Sequence, residues 1–215
     1  MGANPGISLT EQAYTRIEEL IVTLQLPPGG AVSEGELCAQ TGFGRTPVRE
    51  ALQRLETQSL LNRDGRSLFV SSLDHNQIAD LYVVRAELEG LAAKLAARTA
   101  TNEEQRVLVE MVEQDFELVD DPSALARANR RFHKQIHLST HNRYLVQQLD
   151  LVHRSMALMA TTSLAADGRG LEAMKEHQAI VTAIVTRDED AAYQALKHHL
   201  SSAFVTRLKQ KSEAT

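Results

Sequence analysis

The feature that most constrains the fold of this chain is a pair of short amphipathic helices joined by a tight turn near the N-terminus. Ser33 followed by Glu36 is a capping-box pattern that predicts the start of the first helix, and Gly42 predicts its end. The second helix follows within a few residues, with Thr46 expected as its cap and Pro47 at its first position. Two helices joined by so short a turn are typical of a helix-turn-helix.

The segments on either side of this pair complete a winged helix-turn-helix. An amphipathic helix that stops at a Pro-Pro-Gly-Gly run precedes the pair. Two short strands follow it, residues 60–63 and 67–71, on either side of Asp64-Gly65, a dipeptide that favours a tight hairpin. The order of these elements predicts a DNA-binding domain over residues 1–72.

The rest of the chain, residues 73–215, carries no strand signal and shows amphipathic stripes separated by short breaks. Aromatic residues make up only 4% of the chain and tryptophan is absent, a composition that favours helix and excludes an all-β fold. We therefore expect a mainly α protein in which an all-helical antiparallel bundle follows the winged helix-turn-helix. The expected helices span residues 75–98, 102–118, 122–139, 143–164, 170–187 and 188–210.

The winged-helix segment is basic although the chain as a whole has a net charge of −5. Residues 45–66 hold five arginines and three acidic residues, more than a solvated helix face alone would explain in this motif. Arginine at the start of a recognition helix can bind guanine O6 and N7, so double-stranded DNA is the expected partner. The expected contacts are Arg45, Thr46 and Arg49 at the helix start, Arg54 on the DNA backbone or paired with Glu50, and Arg63, Gly65 and Arg66 in the wing.

Nothing in the sequence indicates secretion or membrane insertion. No apolar run approaches the roughly 18 residues of a membrane span, and the first ten residues lack the basic and apolar regions of a signal peptide. The single cysteine, Cys38, cannot form an internal disulfide, in agreement with a reducing compartment. We expect a cytoplasmic protein without a membrane partner.

Histidines are frequent in the helical region, and several lie on faces that are predicted to point inward. Asn129 and His133 are four residues apart on one helix face, while His177 and His199 share their stripes with aliphatic residues. Buried neutral imidazoles are good ligands for zinc and related metals. Hydrogen bonds around a metal-free cavity are the alternative, and His133 with His137 could chelate a metal alone.

Two parts of the sequence resemble a known family. The segment PPGGAVSEGELCAQTGFGRTPVREALQRLETQSLL is similar to the N-terminal domain of GntR-type transcription regulators. The segments LYVVRAELEGLAAKLAA, ANRRFHKQIH, NRYL and EHQAIVTAIVTRDEDAAYQALKHHL resemble the FCD ligand-binding domain of the FadR subfamily. Six helices directly after the wing resemble the shorter VanR-like variant. One departure is Gly35, where many relatives carry a basic or polar residue.

The resemblance implies a transcription regulator rather than an enzyme, most often a repressor that its effector releases. It implies a divalent metal in the helical domain, zinc first and nickel or manganese as alternatives. It also supports Arg85 and Arg169 as counter-charges for a small carboxylate effector, although Glu87 or Glu89 can satisfy such an arginine instead. The implied metal ligands are Asn129, His133, His177 and His199.

One winged helix covers only a short half-site, so we expect a homodimer on a palindromic operator. Two alternatives remain open: a metal-dependent helical enzyme with an accessory DNA-binding domain, and a metal-free ligand-responsive regulator. A zinc peptidase of the His-Glu-x-x-His type is not indicated, because Lys134 follows His133 where that motif requires glutamate.

Overall fold

The computed structural model describes residues 7–159 and 162–213, which divide into two compact units. The first unit contains the described residues up to Asp74 and a short segment that begins at His153. The second contains His75–Val152 and the remaining described residues. No helix in either described range has the length and apolar character that a membrane crossing requires.

The first unit is a winged helix-turn-helix with its own apolar core. Its described elements are α1 (Leu9–Val22), β1 (Ala31–Val32), α2 (Glu34–Thr41), α3 (Arg45–Thr57), β2 (Leu61–Asp64) and β3 (Ser67–Val70). Strand β3 lies between β1 and β2 and runs antiparallel to both. Helices α1 and α3 pack together, and Ile17, Leu37 and Leu55 are among the buried residues of this core.

Side-chain caps set the starts of α1 and α2. The Ser8 hydroxyl accepts a hydrogen bond from the Glu11 amide at 3.1 Å, and the Ser33 hydroxyl accepts one from the Glu36 amide at 3.4 Å. Gly42 then ends α2 in the left-handed conformation, with a φ of 77°. These contacts join residues that are close in sequence, which is why the predicted start and end of α2 lie close to the observed ones.

Helix α3 begins two residues earlier than its sequence predicts. The expectation that Thr46 caps it is wrong, because the first helical residue is Arg45 and Gly44 is the N-cap. The Gly44 carbonyl accepts a hydrogen bond from the Val48 amide at 3.3 Å, so the first turn closes on Gly44. Pro47 remains within this turn, where its missing amide costs no hydrogen bond. Arg45 and Thr46 are therefore exposed residues of the first turn.

The predicted hairpin is present, and a third strand accompanies it. Asp64 of β2 pairs with Ser67 of β3, which leaves Gly65 and Arg66 as the two turn residues. Gly65 has a φ of 57°, a left-handed value that glycine adopts without steric cost. Sequence analysis missed β1, because two residues are too few to show an alternating pattern and the strand depends on its pairing with β3.

The second unit is an all-helical antiparallel bundle, which confirms the predicted fold class. Its described helices are α4 (His75–Thr99), α5 (Asn102–Asp115), α6 (Pro122–Leu138), α7 (Arg143–Met156, whose last turn is grouped with the first unit), α8 (Arg169–Val185) and α9 (Glu189–Glu213). Helix α9 packs against α4 and α8, and Phe132, Leu149 and Met174 lie in the bundle core. Packing of this kind brings the inward faces of separate helices to one interior.

Helix α7 is shorter than predicted. The sequence predicts a helix over 143–164, but α7 ends at Met156. The next three amides bond to carbonyls three residues back, a tightening that ends an α-helix. Residues 160 and 161 lie outside the described residues, and a short 3-10 helix covers Ser163–Ala165. The sequence does not reveal this end, because no glycine or proline, the usual signals of a helix end, occurs between Arg143 and Gly168.

Candidate metal centre and DNA-binding surface

Three buried histidines from three different helices converge in the second unit. His133 on α6, His177 on α8 and His199 on α9 are 0%, 1% and 3% exposed. One ligand atom from each lies within 4.8 Å of the others. The Nε2 atoms of His133 and His199 are 3.3 Å apart. Two nitrogen ligands at about 2.0–2.1 Å from a tetrahedral zinc ion stand roughly 3.4 Å apart, so this donor set fits such an ion.

His177 is the residue of the three whose burial most needs a bound cation. Its ring stacks on Phe132, with the ring centroids 4.2 Å apart and the planes inclined by 24°. Neither of its ring nitrogens has a hydrogen-bond partner. A buried polar group without a partner costs free energy unless something binds it. A metal ion that binds the unprotonated ring nitrogen of His177 would remove part of that cost.

A buried and a partly buried carboxylate bind the outer nitrogens of the other two rings. The Nδ1 of His133 contacts Oε2 of Glu89 on α4, and the Nδ1 of His199 lies 2.7 Å from Oε2 of Glu176 on α8. A carboxylate that accepts from Nδ1 leaves Nε2 with its lone pair directed at the cluster. Sequence analysis named Glu89 only as a possible partner of Arg85 and missed Glu176, although Glu176 directly precedes His177 in the chain.

Burial keeps the three histidines neutral near neutral pH. It lowers the pKa of His133 to about 3, and it lowers the pKa values of His177 and His199 as well. Proximity of the other two imidazoles lowers the pKa of His177 further, since a second positive charge in the same small volume is unfavourable. Neutral imidazole is the form that binds a metal ion.

Two buried arginines bind these glutamates and differ in the donors that they keep available. The Nε of Arg85 donates to Glu89 at 2.6 Å, while Nη2 of Arg169 donates to Glu176 at 2.6 Å and to the His199 carbonyl at 3.5 Å. Burial by itself would raise the pKa of each carboxyl, but the paired histidine and arginine bring it below its ordinary value. Nε and Nη1 of Arg169 have no partner, so Arg169 offers two buried donors to an anion.

The remaining predicted ligand, Asn129, lies one helical turn before His133 on α6. The Oδ1 of Asn129 is buried and has no hydrogen-bond partner. His137 lies one turn after His133, with its Nε2 at 3.5 Å from Glu89, so these three residues form a second group of potential ligands. His198 is exposed and belongs to neither group.

In the first unit, the predicted DNA contacts of α3 and the wing border a cleft of about 600 Å³. Arg49 from α3 and Arg63 and Arg66 from the hairpin line this cleft. Arg45 and Thr46 are exposed in the first turn of α3. Exposed guanidinium groups and a helix N-terminus are suited to phosphates and base edges.

Two of these arginines are held by glutamates that sequence analysis missed. Nε and Nη2 of Arg49 donate to the two carboxylate oxygens of Glu34 on α2, at 3.1 and 3.0 Å. Nε and Nη2 of Arg63 donate in the same manner to Glu56 of α3, at 3.0 and 2.9 Å. Each pair joins side chains from different elements, which helical spacing does not indicate.

The predicted pairing of Arg54 with Glu50 is wrong. Arg54 is paired with Glu11 on α1, and its guanidinium lies over the Tyr14 ring at 3.9 Å from the ring centroid. Glu50 instead accepts a hydrogen bond from the Thr10 hydroxyl at 2.6 Å. Because α1 packs on α3, it supplies the partners that α3 was expected to supply to itself.

Comparison with known families identifies both units. Residues 80–202 match the FCD domain, and residues 9–70 match the family described as "Bacterial regulatory proteins, gntR family". This chain belongs to the GntR family. Its FCD domain agrees with the FadR type of GntR regulator, and the predicted resemblance is confirmed. The VanR-like variant stays a prediction.

Relatives of this GntR-family chain are regulators of transcription. YdhC of Bacillus subtilis, an uncharacterized HTH-type transcriptional regulator, is 27% identical over 88% of this chain and 87% of its own length. A probable D-xylose utilization operon transcriptional repressor of Paenarthrobacter nicotinovorans is 30% identical over 83% and 79%. The structure of E. coli McbR/YncC has a TM-score of 0.84 at 21% identity, covers 95% of this chain and 99% of its own, and shows the same fold. The family consists of regulators and not enzymes, which rules against a helical metalloenzyme.

Proposed function

We propose that this GntR-family protein is a cytoplasmic, homodimeric repressor whose operator affinity is controlled by a small carboxylate bound at or near a divalent metal. The observation that carries the proposal is the convergence of His133, His177 and His199 in one buried cluster. Arg169, which is bound to the same cluster through Glu176 and the His199 carbonyl, keeps two buried donors without partners. A cation would bind the histidine nitrogens, and an anion would accept hydrogen bonds from the free donors of Arg169.

Zinc is the proposed metal because neutral imidazoles are among its preferred ligands. Nickel, which also suits imidazole, and manganese, which prefers oxygen ligands such as the Asn129 amide, are the alternatives. When bound, the metal supplies a positively charged anchor that attracts an anionic effector. Glu89 and Glu176 orient the imidazoles of His133 and His199, as residues behind metal ligands commonly do. The proposed ligands are Asn129, His133, His177 and His199.

The proposed effector is a carboxylate because the open donors of Arg169 require an anion. Its Nε and Nη1 point to different sides of the guanidinium plane, and each can donate one charge-assisted hydrogen bond to an anionic oxygen. Arg85 adds a second buried positive charge, although it is already engaged by Glu89. An apolar or cationic effector would leave the donors of Arg169 unmet.

We further propose that residues 1–72 bind double-stranded operator DNA and that residues 73–215 bind the metal, the effector and a second protomer. A single winged helix reads a short half-site, so a dimer on a palindromic operator gains usable specificity. Arg54 is proposed for the DNA backbone only, because its guanidinium is paired with Glu11 on α1. The other proposed contacts are Arg45, Thr46 and Arg49 of α3, with Arg63, Gly65 and Arg66 of the wing.

Elemental analysis of the full-length protein, purified without a chelator or a metal-binding tag, tests the metal. We expect about one zinc ion per protomer in the wild type, as one four-ligand site requires. His177→Ala should lose it, whereas His198→Ala, which removes an exposed histidine of α9, should retain it. A metal-free wild type, or equal losses in both variants, would contradict the proposed site.

Operator binding tests the regulation. The operator is selected from a random duplex library with the wild-type protein, and its affinity is measured by fluorescence anisotropy. A panel of mono- and dicarboxylic acids with two to six carbons is then added to the zinc-loaded protein. We expect at least one acid to weaken operator binding by roughly fivefold or more, and His177→Ala to be insensitive to it. Unchanged binding with every acid would contradict carboxylate control.

A further inference from the structure

The ion pair between Arg49 and Glu34 bears on how DNA sequence is read, and the inference rests on the proposed role of Arg49. Glu34 is the first residue of α2, and Arg49 lies on α3 just beyond its first turn. The Nε of Arg49 donates to one carboxylate oxygen at 3.1 Å, and Nη2 donates to the other at 3.0 Å. Glu34 therefore binds one long edge of the guanidinium plane.

This pairing leaves the far end of the guanidinium open. The group has five N–H donors, and the contacts with Glu34 use the one on Nε and one on Nη2. The second hydrogen of Nη2 and both hydrogens of Nη1 remain. Guanine presents O6 and N7 side by side in the major groove, where two such donors can bind both. The Arg49 side chain is 64% exposed even while paired, so this end is accessible.

We propose that Glu34 is a positioning residue that holds Arg49 edge-on, so that the open end of its guanidinium is presented to a guanine. An unrestrained arginine loses rotamer freedom when it binds, and a restrained one has already lost much of it. A fixed direction also favours the base that offers two adjacent acceptors. Since the Glu34 charge repels phosphates, it contributes to discrimination between sequences and weakens binding to unrelated DNA.

The surroundings of Glu34 define its position. Ser33 caps α2 directly before it, and a negative charge in the first turn of a helix is favourable. The hydrogen bond from Arg49 lowers the pKa of the Glu34 carboxyl, which is therefore ionised at neutral pH. Arg45 and Arg66, in contrast, form no ion pair with any residue that the structure describes. A phosphate contact, which suits the wing residue Arg66, tolerates many directions of approach.

The wing offers a matched control for this pair. Arg63 donates from Nε and Nη2 to both oxygens of Glu56, with the same edge-on geometry and similar distances. Arg63 lies in the wing, where the expected contacts are phosphates or the minor groove, and phosphate contacts carry no sequence information. Neutralising Glu56 should therefore change the affinity for all duplexes alike.

The test measures binding of full-length variants to the selected operator, to the operator with each base pair replaced in turn, and to an unrelated duplex. Glu34→Gln should lower the ratio of operator to unrelated affinity about tenfold, at the same base pair that Arg49→Ala relaxes. Unrelated DNA should bind equally well or more tightly. Glu34→Asp keeps the charge but shortens the reach, and should lose discrimination while binding to unrelated DNA stays unchanged. Glu56→Gln should leave the ratio as in the wild type.

Three outcomes would overturn the inference. In the first, Glu34→Gln tightens both duplexes equally, which makes Glu34 a competitor of DNA for Arg49. In the second, both Glu34 variants keep wild-type discrimination while Arg49→Ala loses it, which defeats the positioning role and leaves the proposed function intact. In the third, Arg49→Ala itself keeps wild-type base preference, which defeats the proposed role of Arg49 as well. Thermal melting verifies that each variant is folded.

Discussion

His133 and His199 face each other through their Nε2 atoms at 3.3 Å, and the Nδ1 of each ring contacts a different glutamate. With a proton on each Nδ1, both Nε2 atoms present lone pairs, which repel at this distance unless a cation lies between them. The glutamates also bind buried arginines, so both rings are oriented before any metal binds. One set of contacts runs from Arg85 through Glu89 to His133, and the other runs from Arg169 through Glu176 to His199.

Glu176→Gln should weaken zinc binding about tenfold to a hundredfold. A neutral amide accepts a weaker hydrogen bond from His199 and no longer balances the charge of Arg169. Calorimetric titration of the chelator-treated protein with zinc measures the effect. Glu172→Gln, an exposed position one turn earlier on α8, is the matched control and should keep wild-type affinity. Equal zinc affinity in both variants would show that Glu176 does not support the ligand.

Asn129→Asp should raise the affinity for zinc and lower the affinity of the zinc-loaded protein for a carboxylate such as succinate. An aspartate cancels part of the metal charge, whereas the neutral amide leaves that charge to attract an anion. Successive calorimetric titrations with zinc and with succinate measure both effects. Asn102→Asp adds the same charge at the exposed start of α5 and serves as the control. If zinc tightens while succinate binds as before, the effector is held by Arg169 and not by the metal.

Arg49→Ala should cost about 1 to 3 kcal/mol of operator binding and relax the preference at one base pair. Arg66→Ala, which removes an exposed charge in the hairpin turn, should weaken binding to all sequences more evenly. Anisotropy titrations with the operator and with a random duplex distinguish the two patterns. Equal losses on both duplexes for both variants would contradict base reading by Arg49.

Gly170→Ala should destabilise the protein by about 1 to 3 kcal/mol. A Cβ there would lie 2.9 Å from the Val119 carbonyl oxygen and 3.1 Å from a methyl carbon of Leu125, and a backbone atom cannot move aside alone. Gly35→Ala is the control: its Cβ would meet only Ser33 Oγ at 3.9 Å, so helix propensity should leave stability unchanged or slightly higher. Thermal denaturation compares the two. A Gly170→Ala midpoint equal to that of Gly35→Ala would mean that the Val119 backbone yields.

The first unit was largely predictable because its elements begin and end through contacts between neighbours in sequence. Ser33 caps α2 through an amide three residues away, and Gly65 forms the turn of the hairpin in which it stands. Two of the errors in this unit have a different origin. Gly44 and not Thr46 is the N-cap of α3, and Arg54 pairs with Glu11 on a different helix, α1.

The sequence by itself determined the family, the helical bundle and the inward faces of the histidine-bearing helices, since helical periodicity places a residue on a face. Tertiary packing alone decided which faces meet. Glu89 lies 44 residues from His133, Glu176 lies 23 residues from His199, and Glu34 of the first unit lies 15 residues before Arg49. Each pair depends on the angle and register at which two helices pack, and those quantities arise from the whole apolar interface between them. For that reason the carboxylates behind the proposed metal ligands, and the one behind the proposed base reader, became visible only in the folded chain.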